Sequence, residues 1–182
     1  MDKKRKLIIG ALIAVLAGFG VSNGMKKKKG DTEEPGNGNT GNTPVEMTLA
    51  AKSLPAFNAS IMLPENAKES SKSEAHVHYS AEGGAVATGA KVFKVIWAGG
   101  CTLDDEAAVR RNASDYNMSG TIKSIAAAED GSYTVDFEPQ GIMYTRIRFA
   151  KIGDCHVGAV CDGANANKAN IDAICDSLKA SN

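Results

Sequence analysis

A hydrophobic stretch near the N-terminus constrains this chain more than any other feature. Leu7 to Val21 is uncharged and almost wholly apolar, with basic clusters on both sides. Continued to Met25 as a helix, it would measure about 28 Å and could just cross a hydrocarbon core of about 30 Å. It could instead be a cleaved signal peptide, with a cleavage site at Gly20 and Ser22. The four lysines that follow would then begin the mature chain, where positive charge resists export, so the pattern favours a retained transmembrane signal-anchor.

The charge is balanced overall but unevenly distributed. The chain has 21 basic and 21 acidic residues, and eight of the basic ones lie within residues 1–29. No basic excess is left to bind nucleic acid, which is therefore not a predicted partner. Basic residues flank the apolar segment almost equally, so they do not fix its orientation. Gly10, Ala14 and Gly18 recur every fourth residue, which leaves a homodimer through this segment open.

Composition divides the chain into three segments. Residues 1–25 form the basic N-terminus and the signal-anchor. Residues 26–56 are first basic and then rich in Gly, Asn and Thr, with few apolar side chains to offset the entropy of ordering, so a flexible linker is predicted. Residues 57–182 have the length and composition of one domain.

The apolar pattern of that domain predicts an α+β fold, in which a mainly antiparallel twisted sheet packs with two helices. Residues 65–73 are predicted to be a loop. The helices are expected at 102–118, capped by Thr102, and at 168–179. The predicted strands are 61–64, 75–81, 91–98, 121–129, 132–138, 142–150 and 155–161.

Three hairpins connect the later strands. Asp130-Gly131 predicts a type I′ turn. The next hairpin should place Arg146 and Arg148 near Asp136 and Thr134. In the third, a three-residue loop ending at Gly153 would put Cys155 and Cys161 on the face of Ile147 and Phe149, whereas a four-residue loop would put His156 there.

Four cysteines without metal-binding spacing indicate disulfides and hence an oxidising compartment. Cys155 and Cys161 lie about 20 Å apart on an extended strand, too far to bond each other. The expected position of the last helix favours pairing Cys155 with Cys175, and Cys101 with Cys161. We therefore expect the domain to face the periplasm or the cell exterior.

Other residue groups have plain structural explanations. His76 and His78 share a strand face and could bind zinc or copper, but a solvated face is favoured, and no cofactor is predicted. Asp104, Asp105 and Glu106 suit a helix N-terminus. Gly99-Gly100-Cys101 before a helix could form an anion-binding corner, with Cys101 as a nucleophile. Tyr144, Arg146 and Arg148 could also bind an anion, although pairing with Asp136 and Glu138 explains the arginines.

The order of elements resembles the PsbP-like fold. The resemblance rests on IMLPEN at 61–66, YTRIRF at 144–149 and the closing ICDSLK at 174–179. It implies a small, often exported, non-catalytic binding or assembly domain, and it transfers no functional residue. We therefore expect a membrane-anchored envelope protein that binds an unidentified protein or small molecule. The alternatives are an enzyme or metal-binding domain using Cys101 or the two histidines, and a structural subunit of an envelope complex.

Overall fold

The computed structural model describes residues 43–82, 86–117 and 119–181. The predicted anchor from Leu7 to Val21, including Gly10, Ala14 and Gly18, lies outside these residues. Within the described residues, no helix has the length and apolarity needed to cross a membrane.

The described residues form an α+β domain with two antiparallel sheets, as the sequence predicts in outline. The smaller sheet has the strand order β1-β2-β10, and the larger has the order β3-β4-β5-β9-β8-β7-β6 for the strands defined here. The strands are β1 (Leu49–Leu54), β2 (Ala59–Pro64), β3 (Lys68–Lys72), β4 (His76–Ala81), β5 (Thr88–Lys94), β6 (Ile122–Ala127), β7 (Tyr133–Phe137), β8 (Met143–Ile152), β9 (Cys155–Ala164) and β10 (Lys179–Ala180). The helices are α1 (Glu106–Tyr116) and α2 (Lys168–Asp176).

The two faces of the larger sheet carry separate cores. On one face, α2 contacts both β9 and β2, and its buried Ile171, Ile174 and Cys175 join the two sheets. On the other face, Val109 and Ala113 of α1 pack in a core that includes Phe93, Val135, Phe137, Ile147 and Phe149. Strand residues alternate between the two cores, which explains why β9 is apolar on both faces.

The N-terminal part of the domain extends further than predicted. The expected linker ended at residue 56, but β1 pairs with β2 along its whole length, and the backbone N–H of Val45 donates to Asn167 Oδ1 at 2.8 Å. Residues 65–73 are not all loop, because β3 adds an exposed edge strand beside β4. The exposed positions of β1 are small or polar, and β3 contains only polar residues, so apolar periodicity gives little sign of β1 or β3.

One helix cap and one hairpin turn differ from those predicted. Helix α1 begins at Glu106, four residues later than predicted, because Asp105 rather than Thr102 accepts from the backbone N–H of Ala108 at 2.7 Å. In the hairpin at Asp130-Gly131, only Gly131 has a positive φ, and its N–H donates to Ala128 O at 3.0 Å. This is a type I turn followed by a bulge, rather than type I′.

The hairpin between β8 and β9 has a two-residue turn, so the predicted register was wrong. Ile152 pairs with Cys155 around Gly153-Asp154, and Gly153 has φ 60°. Phe149 therefore faces Gly158, and the odd-numbered residues of β9 lie on the α2 face. Gly158 supports this register, since a Cβ there would lie 2.1 Å from Cζ of Phe93.

Candidate functional site

A tight hairpin projects from the end of β5. Trp97 and Gly100 exchange two backbone hydrogen bonds of 3.0 and 2.7 Å. Both residues between them are left-handed, with φ 47° at Ala98 and 83° at Gly99, as a type I′ turn requires. Placing a residue with a Cβ in this region costs about 1–2 kcal/mol. Beside the turn, Ile96 is 74% exposed.

A disulfide between Cys101 and Cys155 joins this hairpin to the start of β9. Its Cα atoms are 4.9 Å apart, and the backbone N–H of His156 donates to Cys101 O at 2.7 Å. The predicted pairs Cys155–Cys175 and Cys101–Cys161 are therefore wrong. The turn at residues 98–99 brings Cys101 alongside Cys155, while Cys175 of α2 reaches β9 near Ala159. As a disulfide partner, Cys101 has no free thiolate and is not the nucleophile considered above.

His156 follows the disulfide and is 3% exposed. Its Nδ1 accepts from the backbone N–H of Leu103 at 3.1 Å, and its Nε2 lies 2.9 Å from Gly131 O. A carbonyl can only accept, so Nε2 carries the hydrogen and the imidazole is neutral. Both ring nitrogens are occupied by backbone groups, so His156 connects three loops and is not placed to accept a substrate proton.

An open cleft of about 590 Å³ lies against the disulfide. Its lining is mostly apolar, with Glu74 and Lys94 as charged members. The volume lies within the range of about 300–1,000 Å³ that is usual for small-molecule sites. The residues that shape it include Ala56, Phe57, Val95, Ile96, Ile152 and Val157.

The histidines proposed as metal ligands lie elsewhere, on β4. His76 Nδ1 is 3.0 Å from Ser73 Oγ, and His78 Nδ1 is 3.1 Å from Ser70 Oγ. His78 also pairs across the strands with Lys91, an unfavourable neighbour for a bound cation. Among the described residues, no group of three or more His, Cys, Asp or Glu side chains could hold a metal ion.

Arg146 is the centre of a charged network between the sheet and α2. Its guanidinium contacts Asp136 at 2.8 Å, Asp172 at 3.4 Å and Asp176 at 2.9 Å. Burial alone would lower the pKa of Arg146, but its contact with Tyr144 and the nearby carboxylates raise that pKa overall. The predicted pairing with Asp136 is confirmed, whereas neither arginine pairs with Glu138 among the described residues. Arg148 donates to Thr134 at 3.0 Å.

The Tyr144 hydroxyl completes the network. It lies 2.8 Å from one oxygen of Asp136 and 2.8 Å from one of Asp172. Burial and these two carboxylates raise its pKa, because ionised Tyr144 would add another negative charge. The three carboxylates outnumber the positive charge of Arg146, so the geometry does not support the anion site considered for Tyr144, Arg146 and Arg148.

The predicted anion-binding corner does not form either. Gly99 lies in the hairpin turn and Gly100 closes it, six or more residues before the first helical residue. The N-terminus of α1 is capped by Asp105, and Glu106 forms a salt bridge with Arg110 at 2.9 Å, as predicted.

Sequence reasoning missed the cleft and the projecting hairpin. The signal was present in Trp97-Ala98-Gly99-Gly100, because small residues between apolar positions favour a two-residue turn. The apolar pattern instead predicts a strand that ends at Ala98, followed by a corner at Gly99-Gly100 before a helix. The cleft itself joins residues from four segments that are distant in sequence, which no local pattern reveals.

No protein-family model matches the sequence, and no curated protein sequence matches it either. Among solved structures, the crystal structure of the Ran-binding protein Mog1p from Saccharomyces cerevisiae is similar, with a TM-score of 0.48 and 6% sequence identity. The match covers 74% of this chain and 96% of the yeast protein.

Proposed function

We propose that this protein is a membrane-anchored, non-enzymatic binding protein of the cell envelope, and that its cleft beside the Cys101–Cys155 disulfide takes an apolar ligand or an apolar side chain of a protein partner. The observation that carries the proposal is the cleft itself, together with Ile96 at its edge. Ile96 lies beside a tight turn, is 74% exposed and lines the cleft, so it adds exposed apolar surface to the edge of the cleft. Apolar lining with few charged groups is the usual composition of a ligand site.

The chemistry of the cleft supports binding rather than catalysis. Its polar side chains include Glu74, Lys94 and His156, and the imidazole is committed to backbone groups. The nearby sulphurs of Cys101 and Cys155 are bonded to each other. A nucleophile within reach of a free base, which covalent catalysis needs, is not found among the lining residues.

Titration with the fluorescent apolar probe bis-ANS tests the cleft directly. We expect one saturable site on residues 43–182, and we expect Ile96→Asp to weaken binding at least tenfold because it places a charge beside the apolar lining. Ile142→Asp is the matched control, since Ile142 is 51% exposed and directly precedes β8, whose other end contributes Ile152 to the cleft. Equal binding by the two variants would refute this site.

The enzyme and metal alternatives make a different prediction. If His76 and His78 bind zinc or copper stoichiometrically, calorimetric titration of the reduced and oxidised protein will show it. The double variant His76→Ala/His78→Ala would abolish that binding. A saturable metal site with this dependence would replace the non-enzymatic proposal.

Membership of the PsbP-like fold family stays a proposal. It is supported by β2, by the hairpin series that ends in β8 and by the closing helix α2, which include the three regions that carry the resemblance. An experimental structure superposed on members of that family would test it, and a different strand order would exclude it.

A further inference from the structure

Cys161 and Cys175 lie next to each other inside the domain. Both are 0% exposed. Cys175 Sγ is 3.4 Å from Ala159 O, two residues along β9 from Cys161, and 3.3 Å from the carbonyl of Arg146, which pairs with Cys161 across the strands. The Cys175 side chain is also among the groups that raise the pKa of the Cys161 thiol. The thiol of α2 therefore lies close to Cys161 on β9.

We propose that Cys161 and Cys175 form a second disulfide when the chain folds in an oxidising compartment. The location in the cell rests on the proposed function, but the chemistry does not, since it can be tested in purified protein. The two cysteines belong to consecutive elements, with only a 3-10 turn at Asn165–Asn167 between β9 and α2. A short connection of this kind keeps the two sulphurs close even before the rest of the domain is complete.

The reaction needs an external disulfide as its oxidant. One thiolate attacks that disulfide, forms a mixed disulfide and releases one thiol. The second cysteine then attacks the mixed disulfide, which forms the Cys161–Cys175 bond and releases the other thiol. The protein loses two protons and two electrons, and the oxidant gains them and becomes two thiols.

The bond should form during folding rather than afterwards. Burial raises the pKa of the Cys161 thiol, and the neighbouring Cys175 raises it further. The attacking species is the thiolate, and the oxidant must be able to reach it. Once α2 has docked, little of the thiol is ionised and the oxidant has poor access to it. The compartment in which the chain folds therefore decides whether the bond is present.

A thiol count on the full chain tests the proposal. The chain is unfolded and reduced, refolded with reduced and oxidised glutathione, and then alkylated with iodoacetamide in denaturant without further reduction. Mass spectrometry should find none of the four cysteines alkylated. Alkylation of Cys161 and Cys175, or a peptide linking Cys175 to Cys155 or Cys101, would overturn the pairing.

Single variants assign the bond. We expect Cys161→Ala to leave only Cys175 alkylated, and Cys101→Ala to leave only Cys155 alkylated. Oxidised protein should also melt about 10 °C above Cys161→Ala/Cys175→Ala, because the closed loop restricts the unfolded chain. If that double variant does not fold, the thiol count on the unchanged chain still decides, since two free thiols there contradict the proposal.

Discussion

At the scale of single residues, His156 shows how one side chain can hold several loops. It accepts from Leu103 before α1 and donates to Gly131 in the β6–β7 hairpin, while its own backbone pairs with Cys101. We expect His156→Ala to lower the free energy of unfolding by about 2–3 kcal/mol, because a buried N–H and a carbonyl lose their partners. Urea denaturation measures this.

The control for this variant is His76→Ala, on the exposed side of β4. His76 makes a side-chain contact with Ser73 that is open to solvent. Loss of this contact should lower the free energy of unfolding by less than about 0.5 kcal/mol. Equal costs for the two variants would show that His156 does not connect the loops in solution.

Asp162 is a second residue of interest, because its surroundings in the fold shift its pKa. Burial raises its pKa above the ordinary 3.8, although His78 and the Gly89 backbone N–H oppose this. A carboxyl with a raised pKa in the folded state penalises folding once it ionises. The penalty is absent below pH 3.8, grows as the pH rises through the folded-state pKa, and is complete above it.

We therefore expect Asp162→Asn to stabilise the domain at pH 7 by about 1 kcal/mol. The amide keeps an acceptor for Gly89 but carries no charge. The advantage should shrink towards zero as the pH falls below 3.8, which urea denaturation at several pH values will show. A variant less stable than the parent at pH 7 would mean that attraction to His78 outweighs burial.

The sequence could predict the role of some residues and not of others. Glu106 and Arg110 are four apart on a helix, so their pairing follows from local geometry alone. The face on which His156 lies depends instead on the length of one turn. A three-residue loop would put it on the α2 face of β9, a two-residue turn puts it on the face of Phe149, and Gly153 suits either.

At the scale of elements, the charged network fixes α2 against β7 and β8. Arg146 on β8 contacts Asp136 on β7 and both Asp172 and Asp176 near the end of the chain. Its side chain is only 16% exposed. The sequence predicted that Arg146 and Asp136 share one face of neighbouring strands, because the hairpin sets the alternation of side chains. It did not predict the two carboxylates of α2, which depend on how that helix docks.

Replacing Arg146 should therefore lower the free energy of unfolding more than replacing an arginine at the surface. We expect Arg146→Met to lower the free energy of unfolding by about 3 kcal/mol, because three carboxylates lose their common cation. Arg110→Met is the control, since its pair with Glu106 is half exposed and worth less than about 0.5 kcal/mol. Similar losses from both, measured by urea denaturation, would contradict this role.

The strands were predicted best where one face is apolar. The alternation of Val77, Tyr79 and Ala81 located β4, and the stripe from Ile171 to Leu178 located α2, and all these apolar side chains are buried. The edge strand β3 contains only polar residues, so no periodicity marks it. Gly158 looked unremarkable in sequence, since the aromatic ring that requires it lies on another strand.

At the scale of the whole molecule, the Cys101–Cys155 bond encloses α1, β6, β7 and β8 in one covalent loop. The two cysteines are 54 residues apart in sequence. A disulfide that closes a loop of this length stabilises the folded state by about 3–4 kcal/mol, because it restricts the unfolded chain. The domain therefore gains most from a compartment in which disulfides persist. This agrees with the proposal that the domain lies outside the cytoplasm, attached through the predicted anchor at 7–21.

Placement is the prediction on which the proposed function most depends. Protease added to intact cells or spheroplasts should cut the predicted linker between Gly30 and Pro44 and release the folded domain. A thiol-blocking reagent added under denaturing conditions should leave Cys101 and Cys155 unmodified unless a reductant is added first. A cytoplasmic protein of the same cells, probed in parallel, controls for membrane integrity. If the linker is cut only after the membrane is broken, and both cysteines react without reduction, the domain faces the cytoplasm and the envelope assignment is wrong.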